Sequence, residues 1–173
     1  MLKASLKWGG ISGGVMTVLL LISYFIFPMN DPAYFDSAEN YGYASMIASL
    51  AVIYLALNDK SLRADGTKLT TWQKILVGGG ASVVAGIIFG FYNVIYTSYV
   101  NPEFLDAYYN YYISQLPVQS GAEYERMVAE LESQKSMFRA PVTQFSVMAA
   151  TVVMIGIPLS VVMAFIHKVR NKE

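Results

Sequence analysis

Four apolar stretches separated by polar connections dominate the pattern of hydrophobic and polar positions along this chain. They cover about residues 9–27, 41–57, 75–100 and 142–166. At about 1.5 Å of rise per residue, helices of roughly 17 to 26 residues cover most or all of a hydrocarbon core about 30 Å thick. The pattern therefore predicts an all-α integral membrane protein, a bundle of four transmembrane helices.

The third apolar stretch has a small, weakly polar face and a bulky face. On a helical wheel the small face holds Gly79, Ser82, Gly86, Gly90, Asn93 and Thr97. Val84, Ile88 and Phe91 lie on the opposite side. Because small residues let membrane helices approach closely, we interpret the first face as a packing seam and expect the bulky face to meet lipid.

Matching small residues in the first two stretches extend the predicted helix-packing seam. They are Gly10, Gly13 and Gly14 in the first stretch, and Ser45 and Ser49 in the second. In the first stretch, Gly9 with Gly13 and Gly10 with Gly14 both have the G-x-x-x-G spacing. The Gly86-x-x-x-Gly90 spacing leaves two alternatives open, which are packing within one chain and a homodimer. In the fourth stretch, Pro158 removes a backbone hydrogen bond and predicts a helix kink.

The connection between the third and fourth stretches predicts an amphipathic helical hairpin over about 102–139. We treat it as an insertion, at about 101–141, in a single membrane domain that covers 1–173. Asn101 before Pro102 is typical of a helix start, and Ser120 with Glu123 has the spacing of a capping box.

Four tyrosines cluster on the first helix of this hairpin. They are Tyr108, Tyr109, Tyr111 and Tyr112. Such rings either anchor an amphipathic helix at the lipid headgroups or stack on a partner, so they are candidates for interfacial or partner-binding residues.

Charged residues divide unevenly between the two sets of flanking segments. The N-terminus, the connection 58–74 and the C-terminal tail hold nine basic and three acidic residues, whereas 28–40 and 101–141 hold three basic and nine acidic ones. By the positive-inside rule both termini are expected in the cytoplasm and the hairpin outside. The long first apolar stretch, with no small-residue cleavage site after it, favours a retained helix over a signal peptide.

Composition narrows the classes of function. The 173 residues are 55% hydrophobic and 14% charged, with zero net charge, which favours membrane insertion and argues against a nucleic-acid partner. There is no cysteine and only one histidine, His167, so we predict no cofactor and no metal site. No catalytic arrangement of residues is recognisable, and we expect no enzymatic activity.

Asn93 is the most polar residue deep in an apolar stretch, and two readings of it stay open. It forms a hydrogen bond between helices, worth roughly 0.6–2 kcal/mol, or it lines a polar pathway. No ionisable residue lies in the middle of any stretch, which argues against a charge-relaying transporter.

Several short segments resemble a bacterial family known only as domain-of-unknown-function 4199. They are Gly42-Tyr-Ala-Ser-Met46, the basic connection before Thr70-Thr71-Trp72, the glycine-rich start of the third stretch, Asn101-Pro-x-Phe104 and the Glu-rich second hairpin helix. The chain departs from the family at Asn58-Asp-Lys-Ser, where a more basic segment with a tyrosine is expected. The resemblance implies a small protein of the bacterial inner membrane and assigns no activity, substrate or site.

Two hypotheses on function follow from the sequence. The first is a non-enzymatic structural or partner-binding protein of the lipid bilayer, which presents its hairpin to an envelope protein or to its own homo-oligomer. The alternative is a small oligomeric channel or transporter for a neutral solute, based on Asn93 and the kink at Pro158.

Overall fold

The computed structural model describes residues 1–59, 62 and 69–170, and every regular element in this part of the chain is helical. The helices are α1 (Leu2–Ile26), α2 (Phe35–Leu50), α3 (Ile53–Ala56), α4 (Thr71–Ile95), α5 (Phe104–Ser114), α6 (Ala122–Phe138) and α7 (Pro141–Arg170), with a 3-10 turn at Pro32–Tyr34 and a π-helical turn at Tyr96–Val100. The all-α prediction is therefore confirmed. Lys60, Arg63 and Lys68 of the predicted basic connection, and Lys172 of the tail, lie outside the described residues.

Among the described residues, three helices are long and apolar enough to cross a membrane, which suggests a membrane protein. They are α1, α4 with its π-helical extension, and α7. The second apolar stretch does not form one long helix, because a turn at residues 51–52 separates α2 from α3. In α7 the helix continues through Pro158 up to Arg170.

Helices α1 and α4 run parallel to each other. Near their starts, Ser5 Oγ donates a hydrogen bond to the Val77 carbonyl at 3.1 Å. Near their ends, the hydroxyls of Tyr24 and Tyr92 are hydrogen-bonded. Two parallel neighbours in one chain require the segment between them to return along the bundle.

The segment α2–α3 makes that return, antiparallel to α1. The Tyr41 hydroxyl donates to the Leu19 carbonyl at 3.0 Å, and Ser12 Oγ donates to the Ser49 carbonyl at 2.9 Å. Beyond α3, the Asp59 carboxylate reaches Lys7 Nζ at 2.9 Å. The described part of this segment therefore covers almost the whole length of α1.

Helix α7 runs antiparallel to α4 and completes the bundle. Its C-terminal part lies beside Asn58, whose Oδ1 is 3.2 Å from His167 Nε2. We call this end, with Met1, Asn58 and His167, the terminal end. We call the other end, with residues 27–34 and 101–140, the hairpin end.

Helix α4 lies between α1 and α7 and packs closely on both. Towards α7, a Cβ added at Gly86 would lie 2.7 Å from the Ala149 carbonyl oxygen, and one at Gly90 would lie 2.7 Å from the Phe145 ring. Also on this face, Ser82 is fully buried and contacts Gly156.

Part of the bulky face of α4 meets α1, so the expectation that this face meets lipid is wrong for Val84 and Ile88, whereas Phe91 of the same face is 60% exposed. A Cβ added at Gly9 would lie 2.6 Å from Val84 Cβ, and one at Gly13 would lie 2.7 Å from Ile88 Cδ1. Glycines in α1 thus leave room for the branched side chains of α4. The other exposed apolar side chains of α4 include Leu76, Val83, Ile87 and Ile95.

The other predicted seam residues divide into two groups. Ser45 and Ser49 are buried on α2. An added Cβ at Gly10, Gly14 or Gly79 would have no heavy atom of the described residues within 4 Å, so these glycines are not required for close packing among the described helices. The middle of the bundle is filled by buried side chains: Met16, Leu50, Ile53, Ala81, Ala85 and Val152.

Helices α5 and α6 form the predicted antiparallel hairpin. Asp106, early in α5, accepts a hydrogen bond from Arg139 Nη2 at 2.7 Å, just after α6 ends. The predicted capping box at Ser120 is wrong, because Gly121, with φ of 89°, takes the N-cap position and no side chain caps α6. In place of the expected cap, the sequence uses a backbone conformation that suits glycine.

Candidate binding site

A cavity of about 580 Å³ lies at the hairpin end, between the hairpin and the bundle. The ends of α1 and α4 and the starts of α2 and α7 form its floor and sides, and α5 and α6 form its roof. Volumes of about 300–1,000 Å³ are typical of sites for small organic ligands. The position of the cavity follows from the fold, because the hairpin is inserted where α4 ends and α7 begins.

Tyrosine rings from α1 and α4 form the aromatic floor of the cavity. Tyr24 stacks on Tyr96 with ring centroids 5.1 Å apart, and Tyr92 and Tyr96 are stacked at 6.3 Å. The hydroxyls of Tyr24 and Tyr92 satisfy each other by a hydrogen bond. These residues recur one helical turn apart on α4, and the parallel course of α1 brings Tyr24 beside them.

A carboxylate from α2, Glu39, lies between the floor and the roof. The Tyr112 hydroxyl donates a hydrogen bond to Glu39 Oε2 at 2.7 Å, and the Tyr108 hydroxyl lies 3.4 Å from the same oxygen. The hydrogen bond to Glu39 and, to a smaller extent, desolvation raise the pKa of Tyr112 above its ordinary value. Desolvation and, to a smaller extent, interaction with Tyr112 raise the pKa of Tyr108. Both phenols therefore keep their protons at neutral pH.

The predicted tyrosine cluster packs inside the molecule. Phe35, at the start of α2, contacts the rings of Tyr108 and Tyr111 with centroids 6.0 and 5.2 Å apart. Tyr109 is buried, and interaction with the Asp36 carboxylate raises the pKa of Tyr111 above its ordinary value. These rings attach α5 to α2, a pairing for which the sequence alone gave no signal.

Two asparagines close the rim of the cavity. Asn30 Nδ2 donates to Asn101 Oδ1 at 2.9 Å, and Asn101 Nδ2 donates to Asn30 Oδ1 at 2.8 Å and to the Tyr96 hydroxyl at 3.0 Å. Asn101 does not cap α5, contrary to the prediction, since Glu103 holds the N-cap position. Its buried side chain instead joins the turn after α1 to the turn after α4.

Asn93 lines the deep part of the cavity and is half-buried. Within the described part of the chain, no hydrogen bond to its side-chain amide is found. One turn further along, Thr97 Oγ1 donates to Gln144 Oε1 at 2.9 Å, and both residues are buried. One of the two readings of Asn93 was a hydrogen bond between helices; among the described residues, such a side-chain bond between α4 and α7 is formed by Thr97 and Gln144.

The charge of the cavity wall is negative. Glu39 and Asp31 are the carboxylates among its lining residues, and no lysine, arginine or histidine of the described chain lines it. In the same described ranges, no group of three or more His, Cys, Asp or Glu side chains that could hold a metal ion is found.

Comparison with known proteins gives one match. A family model described as "Protein of unknown function (DUF4199)" matches residues 7–169. No curated protein and no solved structure matches this chain. The match includes the segments on which the resemblance rested, such as 42–46 and 70–72.

Proposed function

The chain belongs to the DUF4199 family, whose function is unknown. We propose that it is a four-span membrane protein that binds a small molecule beneath its helical hairpin. The observation that carries the proposal is the cavity of about 580 Å³ between hairpin and bundle. A packed molecule leaves few voids larger than a water molecule, so a cavity of this size at a helix junction favours a ligand site.

Four crossings are supported by the directions of the helices. Because α1 and α4 run parallel, α2 and α3 together have to return across the bilayer between them. From Phe35 to Ala56 this segment has roughly 22 residues, or about 33 Å of helix, which suffices for a hydrocarbon core of about 30 Å. With the charge asymmetry of the sequence, the terminal end is cytoplasmic and the hairpin end lies outside the bacterial inner membrane.

Binding without catalysis is the activity that the polar groups favour. Glu39, Tyr108 and Tyr112 are engaged with one another as acceptor and donors. The single histidine, His167, is fully buried beside Asn58 at the opposite end of the bundle. The cavity thus contains groups that can bind a ligand, while His167, the residue type best suited to proton transfer near neutral pH, lies far from them.

The structure favours this proposal over the two hypotheses drawn from the sequence. The tyrosine side of the hairpin is used within the molecule, so an envelope partner would meet only the acidic outer face of α6. A pore through a single copy of the chain would need a path through the middle of the bundle, where Met16, Leu50 and Val152 belong to one buried cluster.

Chemical labelling of the cavity tests the proposal. The chain has no cysteine, so a single Gly42→Cys variant reports on one position. Gly42 lines the cavity, and an added Cβ there meets open space. We expect Gly42→Cys, reconstituted in lipid nanodiscs, to react with a small water-soluble maleimide.

The matched control is Ser82→Cys, at a fully buried position between α4 and α7. It should remain unreactive until the protein is denatured. Equal protection of both cysteines would show that solution does not reach the cavity and would contradict the proposed binding site.

A further inference from the structure

The charge on the cavity wall limits the ligands that it can accept. Glu39 is half-buried, and Asp31 lies at the rim, where its Oδ1 accepts a hydrogen bond from the Ala33 amide at 3.0 Å. An anion moved into this space would lose its hydration and meet two carboxylates without a basic side chain in the described lining. A cation would instead find a counter-charge.

Aromatic rings give a second, independent preference for a cation. Thirteen of the thirty lining residues are tyrosine or phenylalanine. The faces of such rings attract cations held within about 6 Å of the ring centroid, with about 0.5–2 kcal/mol per contact. Next to Glu39, the rings of Tyr108 and Tyr112 have centroids 4.7 Å apart, so one cationic group can contact both rings and the carboxylate.

The remaining wall specifies the body of the ligand. Away from Glu39, the lining includes the apolar side chains of Leu20, Met46, Phe89 and Met148. A small hydrated ion would lose its water here without enough oxygen ligands to replace it. A bulky organic group would bury apolar surface against these side chains.

Building on the proposed role of the cavity as a binding site, we propose that its ligand is a monovalent organic cation with a bulky apolar or aromatic body. Quaternary ammonium and phosphonium compounds belong to this class. Glu39 is the counter-charge, and the rings of Tyr108 and Tyr112 contact the cationic centre. The Asn93 amide, deeper in the cavity, is left to contact a polar group on the ligand body.

Two probes of the same shape and opposite charge test this inference. Tetraphenylphosphonium is a cation and tetraphenylborate an anion, each with four phenyl groups around one central atom. Their binding is measured by equilibrium dialysis against the full chain in zwitterionic nanodiscs, with empty nanodiscs subtracted. We expect saturable binding of the cation, at least about tenfold tighter than any binding of the anion, which corresponds to about 1.4 kcal/mol.

Variants then assign the effect to Glu39. Glu39→Gln keeps an oxygen that accepts the Tyr112 hydroxyl but removes the charge, and we expect it to weaken binding of the cation about tenfold or more. The matched control, Glu130→Gln, changes an exposed residue on α6 and should leave binding unchanged. Bound tetraphenylphosphonium should also slow the maleimide labelling of Gly42→Cys.

Several results would overturn the cation inference. They are equal binding of the two probes, equal affinity of Glu39→Gln and Glu130→Gln, absence of saturable binding, and binding that fails to protect Gly42→Cys. None of them affects the proposed function itself, because the reactivity of Gly42→Cys without any probe tests the accessible cavity separately.

Discussion

Asp106 is the residue through which the two hairpin helices are linked by charge. Arg139 Nη2 lies 2.7 Å and Lys135 Nζ 3.4 Å from Asp106 Oδ1. Desolvation opposes ionisation, but the hydrogen bonds and charges of Arg139 and Lys135 outweigh it and lower the pKa of Asp106. The folded hairpin therefore holds this carboxylate in its ionised form more strongly than the unfolded chain does.

We predict that the hairpin loses part of its stability in acid. A carboxyl whose pKa is lowered on folding contributes stability above its unfolded pKa of about 3.9, and this contribution is lost as the pH falls through the lowered value. Because the Asp106 and Arg139 side chains are about half exposed, we expect this contribution to the stability of the hairpin to be no more than about 1 kcal/mol. Hydrogen exchange of α5 and α6, followed from pH 6 to below the lowered pKa of Asp106, measures the contribution.

The variant Asp106→Asn should flatten this pH dependence, whereas Glu130→Gln, at an exposed position on α6, should not. If the acid sensitivity of the hairpin is the same in Asp106→Asn as in the natural chain, the ion pairs make no measurable contribution.

Residue pairs that join distant elements were the part of the site that sequence reasoning missed. Gln144 is buried and accepts a hydrogen bond from Thr97, 47 positions away. Asn101 was expected to cap a helix, yet it bonds Asn30, 71 positions away. An amide side chain has the same sequence signature in either role. Its partner is decided by the rotation of each helix, which hydrophobic pattern fixes only to within a broad sector.

At the scale of the helices, the spacing of the glycines predicted that α1 has a packing surface, but it did not show which pair of glycines makes the contact. The sequence of α1 contains two overlapping pairs, Gly9 with Gly13 and Gly10 with Gly14, one residue apart around the helix. The structure packs the first pair against α4 and leaves the second in open space. A difference of about 100° in rotation thus separates a contact from a free surface.

Substitution of neighbouring glycines in α1 tests this rotation. A Cβ at Gly9 would lie 2.6 Å from the Ala81 carbonyl oxygen, which belongs to the backbone and cannot rotate away. We predict that Gly9→Ala destabilises the protein by about 1–3 kcal/mol. Gly10→Ala meets no atom within 4 Å and should stabilise the helix by about 0.5–1 kcal/mol, since alanine loses less conformational entropy.

Unfolding of the two variants in the same detergent, followed by the loss of helical circular dichroism, gives the comparison. A larger loss of stability in Gly10→Ala than in Gly9→Ala would mean that α1 presents its other face to α4.

At the scale of the molecule, the charge pattern groups the flanking segments into two sets, and described residues of each set meet at one end of the bundle. Lys7 and Asp59 meet at the terminal end, and Asn58 and His167 meet there as well. Asp106 and Arg139 lie at the hairpin end. The sequence could not reveal the cavity between the hairpin and the bundle, because the walls of the cavity come from six helices. The sequence of an apolar helix face does not indicate which other helix it contacts.

The orientation of this bundle in the membrane gives the last prediction. In the proposed four-span topology, parallel α1 and α4 with α2–α3 between them put residues 58 and 120 on opposite sides of the bilayer, and the basic residues near the terminal end favour the cytoplasm for that end. In intact cells, a membrane-impermeant maleimide should label Ser120→Cys. Asn58→Cys and Lys168→Cys should be labelled only after the membrane is opened. All three positions are exposed in the folded chain, so their accessibility depends on the membrane alone. Labelling of Asn58→Cys and Lys168→Cys in intact cells would reverse the assignment. Labelling of only one of these two would contradict an even number of crossings, because α4 and α7 separate them and form a returning pair.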